Sequence, residues 1–202
     1  MTPWTDTVKQ SGTLTIYIGT LVGNWAHVFR DALHEFNVLS SAYKLGVTIK
    51  ESKNQPDGGA GANVLVQTAN GPISASYDTE TRSEKFDGER LHGRTMLFWR
   101  DPANVVEKAF VFLPSQPKVN TPKGQRAVGA GVMKVIAVHE LLHSCGLDDA
   151  DHSSDLFQAN PRVNPGDNAA GDKVLIGTGP RSMPPLVLDG ATAKKIKDLW
   201  AP

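Results

Sequence analysis

Among 202 residues there is a single cysteine, Cys145. One thiol excludes an internal disulfide framework and any multi-cysteine zinc cluster, so metal binding has to rest on His, Asp and Glu. Net charge is also missing, because 21 Lys and Arg balance 21 Asp and Glu. Without a basic excess there is no electrostatic footprint for nucleic acid or an anionic membrane, and neither is expected as a partner. No apolar run approaches the length of a membrane span, and the opening MTPWTDTVKQSG lacks the basic and apolar regions of a secretory signal. The expectation is a soluble chain that is cytoplasmic, exported by a non-standard route or trimmed of a leader. Internal repeats, low-complexity tracts and an evident linker are lacking too, which leaves one domain over residues 1–202 as the expectation.

The segments that are present alternate between β-rich runs and amphipathic stretches. LTIYI (14–18) reads as a strand. Asn24 then can cap a helix whose apolar residues are Trp25, Val28, Phe29, Ala32, Leu33 and Phe36. His27, Arg30, Asp31 and His34 fall on its other face, which reads as a solvated surface, so neither histidine is a candidate ligand. Gly46 closes the helical region, and VTIKES, VLVQT (64–68), TMLFW (95–99) and KAFVFLP (108–114) supply further strands. The glycine cluster in NQPDGGAGAN has no GK[ST] ending and reads as a flexible connection, not a phosphate loop. Residues 72–94 read as a long polar surface excursion, and Pro114, Pro117 and Pro122 as an extended connection. A helix is expected from about Gln125 to Cys145, irregular structure from 148 to 185, and a last helix over 191–200. This order describes an α/β (α+β) chain, with helices covering a small twisted mixed sheet.

The helix expected at 125–145 is unusual for what it buries. Val132, Val135, Ile136, Val138, Leu141 and Leu142 leave it scarcely a polar face, yet it carries His139, Glu140 and His143. Burying a carboxylate and two imidazoles without partners costs several kcal/mol by order of magnitude, and a divalent cation offsets that cost. Residues four apart share a helix face, so both imidazoles can reach one Zn²⁺. Glu140 is then placed to hydrogen-bond a water on the metal and act as general base and acid. Gly146 is positioned to end the helix.

HELLHSCGL (139–147) resembles the HExxHxxGxxH zinc signature of the metzincin peptidases, and its GL pair is especially like the matrixin group. FRDALHEFNVLSSAYKLGVTIKES looks like that family's first helix leading into its second strand. RSMPPLVLDGATAKKIKDLW looks like its methionine-containing turn and C-terminal helix. The likeness spans roughly residues 13–201. It implies a zincin catalytic fold, His139 and His143 as zinc ligands, Glu140 as the general base, and Met183 as the apolar floor of the Met-turn. The family pattern puts the third ligand three residues after the glycine, at Asp149, whereas the first downstream histidine is His152. Either the familiar segment carries a three-residue insertion and His152 completes a three-histidine site, or Asp149 binds as in the snapalysin-like peptidases. His152 is preferred, since imidazole is the more usual partner of two histidines and a loop can absorb an insertion. Asp148 and Asp151 read as loop caps or as carboxylates that orient an imidazole.

Cys145 reads as buried filler. Asp167, Asn168 and Asp172 offer oxygen donors of the calcium type without the twelve-residue loop pattern, so turn formation is their default and Ca²⁺ a weak expectation. The leading functional expectation is a zinc-dependent endopeptidase whose protein or peptide substrate lies extended along an edge strand near residues 92–99. The alternatives are a non-catalytic zinc-binding or structural protein on the same fold, and zinc hydrolysis of another bond such as one in a cell-wall peptide. Substrate preference and oligomeric state are not legible.

Overall fold

Five strand runs rich in β-branched and aromatic residues form a central sheet. In the computed structural model, which describes residues 1–55, 61–100, 102–121, 124–152, 162–163, 173–176, 179–182 and 186–201, the elements follow in chain order. They are α1 (Asp6–Ser11), β1 (Thr13–Tyr17), α2 (Asn24–Tyr43), β2 (Thr48–Glu51), β3 (Val64–Ala69), β4 (Ile73–Tyr77), β5 (Glu80–Glu84), β6 (Arg94–Arg100) and β7 (Val105–Pro114). There follow β8 (Lys118–Thr121), β9 (Gly124–Ala127), α3 (Ala130–Ser144), β10 (Arg162–Val163), β11 (Lys173–Ile176), β12 (Gly179–Ser182) and α4 (Gly190–Trp200). The fold is mixed α/β. Its main sheet has the order β2-β1-β3-β7-β6, with parallel pairing throughout except that β6 runs antiparallel to β7 at one edge.

Because successive strand residues face opposite sides, the sheet separates two cores. Leu97, Val111 and Val66 join the larger core, with α2 and α3, whereas Met96, Phe98, Phe110 and Phe112 join Ile73, Ala75 and Phe86 on the other face. α3 lies in the larger core with Val132, Met133, Ile136, Ala137, Val138, Leu141 and Leu142 all buried. Its C-terminal end, whose carbonyls lack helical partners, is satisfied by three donors from distant parts of the chain. Trp4 Nε1 donates to the Ser144 carbonyl (2.8 Å), Trp200 Nε1 to that of Cys145 (3.0 Å) and the Thr2 amide to that of Gly146 (2.9 Å). These bonds anchor the end of α3 from which the loop carrying Asp149 and His152 departs.

Several sequence expectations shift. Residues 72–94 are not a plain excursion: Ile73 and Ala75 are buried between exposed serines, and β4 pairs with β5 as a hairpin turning at Asp78, whose φ is 53°. The helix expected from Gln125 begins at Ala130, because 118–121 and 124–127 pair as an antiparallel ribbon, with Gly124 at φ 107° opening its second strand. Asn24 is the first residue of α2 and Gly23 occupies the cap position, while the helix stops at Tyr43 with Lys44 left-handed, short of Gly46. Within 148–185, expected to be irregular, β10, β11 and β12 form an antiparallel sheet. α1 had no counterpart in the sequence reading. Met183, Asp167, Asn168 and Asp172 lie outside the described residues. No helix among the described residues is long and apolar enough to cross a membrane.

Candidate metal centre

His139 and His143 stand one turn apart on α3, with their Nε2 atoms 3.0 Å from each other. The His143 ring is buried, and its Nδ1 lies 3.0 Å from the carbonyl of Leu147. A carbonyl can only accept, so Nδ1 carries the hydrogen and the neutral ring presents a bare lone pair at Nε2. The chain then turns at Gly146, at φ 107°, where a Cβ would sit 2.3 Å from the Thr2 carbonyl oxygen. A short 3-10 turn, Asp149–Asp151, follows. Asp148 and Asp151 close it reciprocally as a capping box. That turn brings His152 back over the helix, with its Nε2 3.1 Å from that of His143.

The ligating atoms of His139, His143 and His152 all lie within 4.8 Å of one another, close enough to bind one metal ion. Two nitrogens held by a tetrahedral zinc lie roughly 3.3 Å apart, so the two spacings to His143, 3.0 and 3.1 Å, need little adjustment. Burial, then the neighbouring imidazoles, push His139 down to about 3, and burial lowers His143 as well. The cluster therefore favours neutral rings, the form that ligates a cation.

Asp149, the other candidate for the third position, is placed differently. Its Oδ2 accepts from Arg94 Nη1 at 2.7 Å, and its Oδ1 lies 3.5 Å from His143 Nε2. Arg94 is held in turn by Glu84, Nε to Oε2 at 3.1 Å. The aspartate thus stands beside the imidazole cluster, tied by an arginine to the sheet edge. Asp148 and Asp151 serve the turn, as expected of loop caps.

Glu140 is 2% exposed. Its Oε2 accepts from Thr95 Oγ1 at 2.7 Å, which fastens it to β6. At Gly93 a Cβ would fall 2.5 Å from Glu140 Cγ and 2.9 Å from Oε1, so the carboxylate lies directly against that backbone. Burial pushes the Glu140 carboxyl up to about 7, while the Thr95 hydroxyl pulls the other way. A cavity of about 310 Å³ opens here, lined by His92, Gly93, Thr95, His139, Glu140 and His152 among others. His92 is lowered by burial and by Arg90.

Sequence reasoning placed an edge strand near 92–99 but named neither Gly93 nor Thr95. The only local signal was a glycine immediately before a strand, which marks a close approach of backbone. Cys145 is buried, its Sγ 3.4 Å from the Leu141 carbonyl, and burial pushes the thiol up. His27 is exposed on α2 and faces Asp31 at 3.9 Å. No protein-family model matches the chain, and neither does any curated protein. Function therefore has to be read from the chemistry of the site.

Proposed function

We propose that the chain is a zinc-dependent endopeptidase of the metzincin type, with His139, His143 and His152 holding the ion and Glu140 as general base and acid. The carrying observation is the convergence of three imidazoles beside a buried glutamate hydrogen-bonded to the sheet edge. The strand order, with one antiparallel strand at the edge next to α3, supports the same reading. So does the likeness of residues 139–147 to the zinc signature. Met183 is assigned the floor beneath the site by that likeness alone.

Zinc bound by three imidazoles supplies Lewis acidity and lowers the pKa of water towards about 7. The chain's own groups do the rest. His143 keeps its lone pair inward because Leu147 holds its Nδ1 hydrogen. Glu140, buried beside the three imidazoles and held by Thr95, accepts the proton of the attacking water and delivers it to the leaving amine. Thr95 and Gly93 fix where that carboxylate stands. An extended peptide lies along β6 by backbone pairing.

One observation favours a second reading. Asp149 stands 3.5 Å from His143 Nε2, and a closed site of three histidines and an aspartate would hold the metal for structure alone. Zinc-loaded protein incubated with a denatured protein mixture separates the two. Cleavage by the wild type, with Glu140→Ala keeping one zinc per chain and losing roughly 10²-fold or more in rate, supports the peptidase. Stoichiometric zinc without cleavage favours the structural role, and undiminished cleavage by Glu140→Ala excludes Glu140 as the base.

A further inference from the structure

The outer edge of β6 is defined by hydrogen-bond alternation. In an antiparallel pair, residues that exchange backbone bonds alternate with residues whose N–H and C=O point away. Leu97 stands opposite Ala109, and the Ala109 amide is already spent in the other direction, on the Asn63 carbonyl at 3.0 Å. Leu97 therefore turns its backbone groups outward. Thr95, two residues nearer Glu140 and opposite Val111, does the same. Among the described strands none pairs with this edge.

An exposed edge invites unwanted pairing and is normally blunted. Here a guanidinium blunts it. Arg82, on β5, donates from Nη1 to the Leu97 carbonyl at 2.7 Å. Its Nε bonds Glu80 Oε1 at 2.6 Å, and its guanidinium carbon stacks 4.1 Å from the Trp99 ring centre and 4.9 Å from that of Phe98. The β4–β5 hairpin thus reaches the edge by a side chain, where a strand would use backbone. Between them lies a cavity of about 360 Å³, lined by Arg82, Glu84, Thr95, Leu97, His143 and Asp149 among others, so the capped edge and the imidazole cluster share one groove.

We propose that Arg82 is a displaceable cap that sets how far an extended peptide can pair along β6. Its N–H stands where a peptide amide would bond the Leu97 carbonyl. A short peptide pairs at Thr95, beside Glu140, and leaves the cap in place. A longer one reaches Leu97, roughly 7 Å further at the strand rise, and has to displace the guanidinium, which retains Glu80 and the Trp99 face. The hairpin is in this sense a length-specificity element. The inference rests on the peptidase reading for the identity of the occupant.

The test measures binding, separately from turnover. In zinc-loaded Glu140→Ala protein, fluorescein-labelled peptides of four and eight alternating Val and Thr residues are titrated by anisotropy. Arg82→Met keeps an apolar stem and removes the donors. It should tighten the octapeptide about tenfold, the size of one charge-assisted hydrogen bond, and leave the tetrapeptide unchanged. Arg82→Lys, which can still donate, should stay close to the parent. Glu80→Gln, which loosens the guanidinium without touching β6, should shift the octapeptide in the same direction by less. An equal change for both lengths, no change for either, or no binding of either peptide overturns the proposal. If the length effect appears while wild-type protein hydrolyses nothing, the peptidase reading fails and the cap stands. If hydrolysis appears without the length effect, only the cap fails.

Discussion

Glu140 is a carboxylate with one hydroxyl donor and a glycine backbone against it, and under the proposed mechanism that pairing would set how well it moves a proton. Replacing Thr95 by Val leaves a buried acceptor without its donor. The expected outcome is roughly tenfold slower hydrolysis at unchanged KM and zinc content, with Thr95→Ser restoring the rate; equal rates in the Val and Ser variants would remove Thr95 from the mechanism. Gly93 has no such conservative replacement, since even a methyl group meets Glu140 at 2.5 Å. Cys145 belongs to the packing. Buried and shifted away from its thiolate, it should resist a maleimide reagent in the folded protein and react once guanidinium unfolds the chain, as mass spectrometry can follow.

At the scale of elements, the site depends on how α3 ends. Gly146 is left-handed and has the Thr2 carbonyl where a side chain would go, so Gly146→Ala combines backbone strain with a backbone clash. It should cost at least about 1–3 kcal/mol in urea unfolding and weaken zinc retention, because the turn delivers His152. Much of this element was legible. The apolar residues of α3, the i,i+4 histidines and the terminating glycine all lie within one segment, and helix periodicity relates them directly. The strands β1, β2, β3, β6 and β7 were legible for a similar reason, as β-branched or aromatic runs. β4–β5 and β8–β9 were not, because their residues are largely polar, and β4–β5 pairs through a turn at Asp78 that no strong local signal marks. The Thr95–Glu140 bond joins residues 45 positions apart, and no local pattern carries it. The placement of His152 depended on a capping box that the sequence DDADH contains but whose direction only the folded chain defines.

For the whole molecule, the metal is expected to act as a part of the fold. An ion held by His139, His143 and His152 would tie α3 to the returning loop, and its removal would leave three imidazoles facing one another. Chelation should therefore lower the melting temperature, and readdition of zinc at a thousandfold excess over its dissociation constant should restore about 4 kcal/mol. Metal-free protein should also weaken as pH falls. His139 is held to about 3 and His143 is lowered, so below about 6.5 the unfolded chain binds protons that the folded chain refuses, and acid favours unfolding. Glu140 acts with the opposite sign between its ordinary value and about 7, so the urea midpoint is best followed in Glu140→Gln, where that contribution is removed. The most direct measurement is zinc bound per chain after dialysis in wild type, His139→Ala, His152→Ala and Asp149→Ala. The expected result is one zinc in the wild type and in Asp149→Ala and little in either histidine variant. Zinc retained by His152→Ala and lost from Asp149→Ala would contradict the three-imidazole centre.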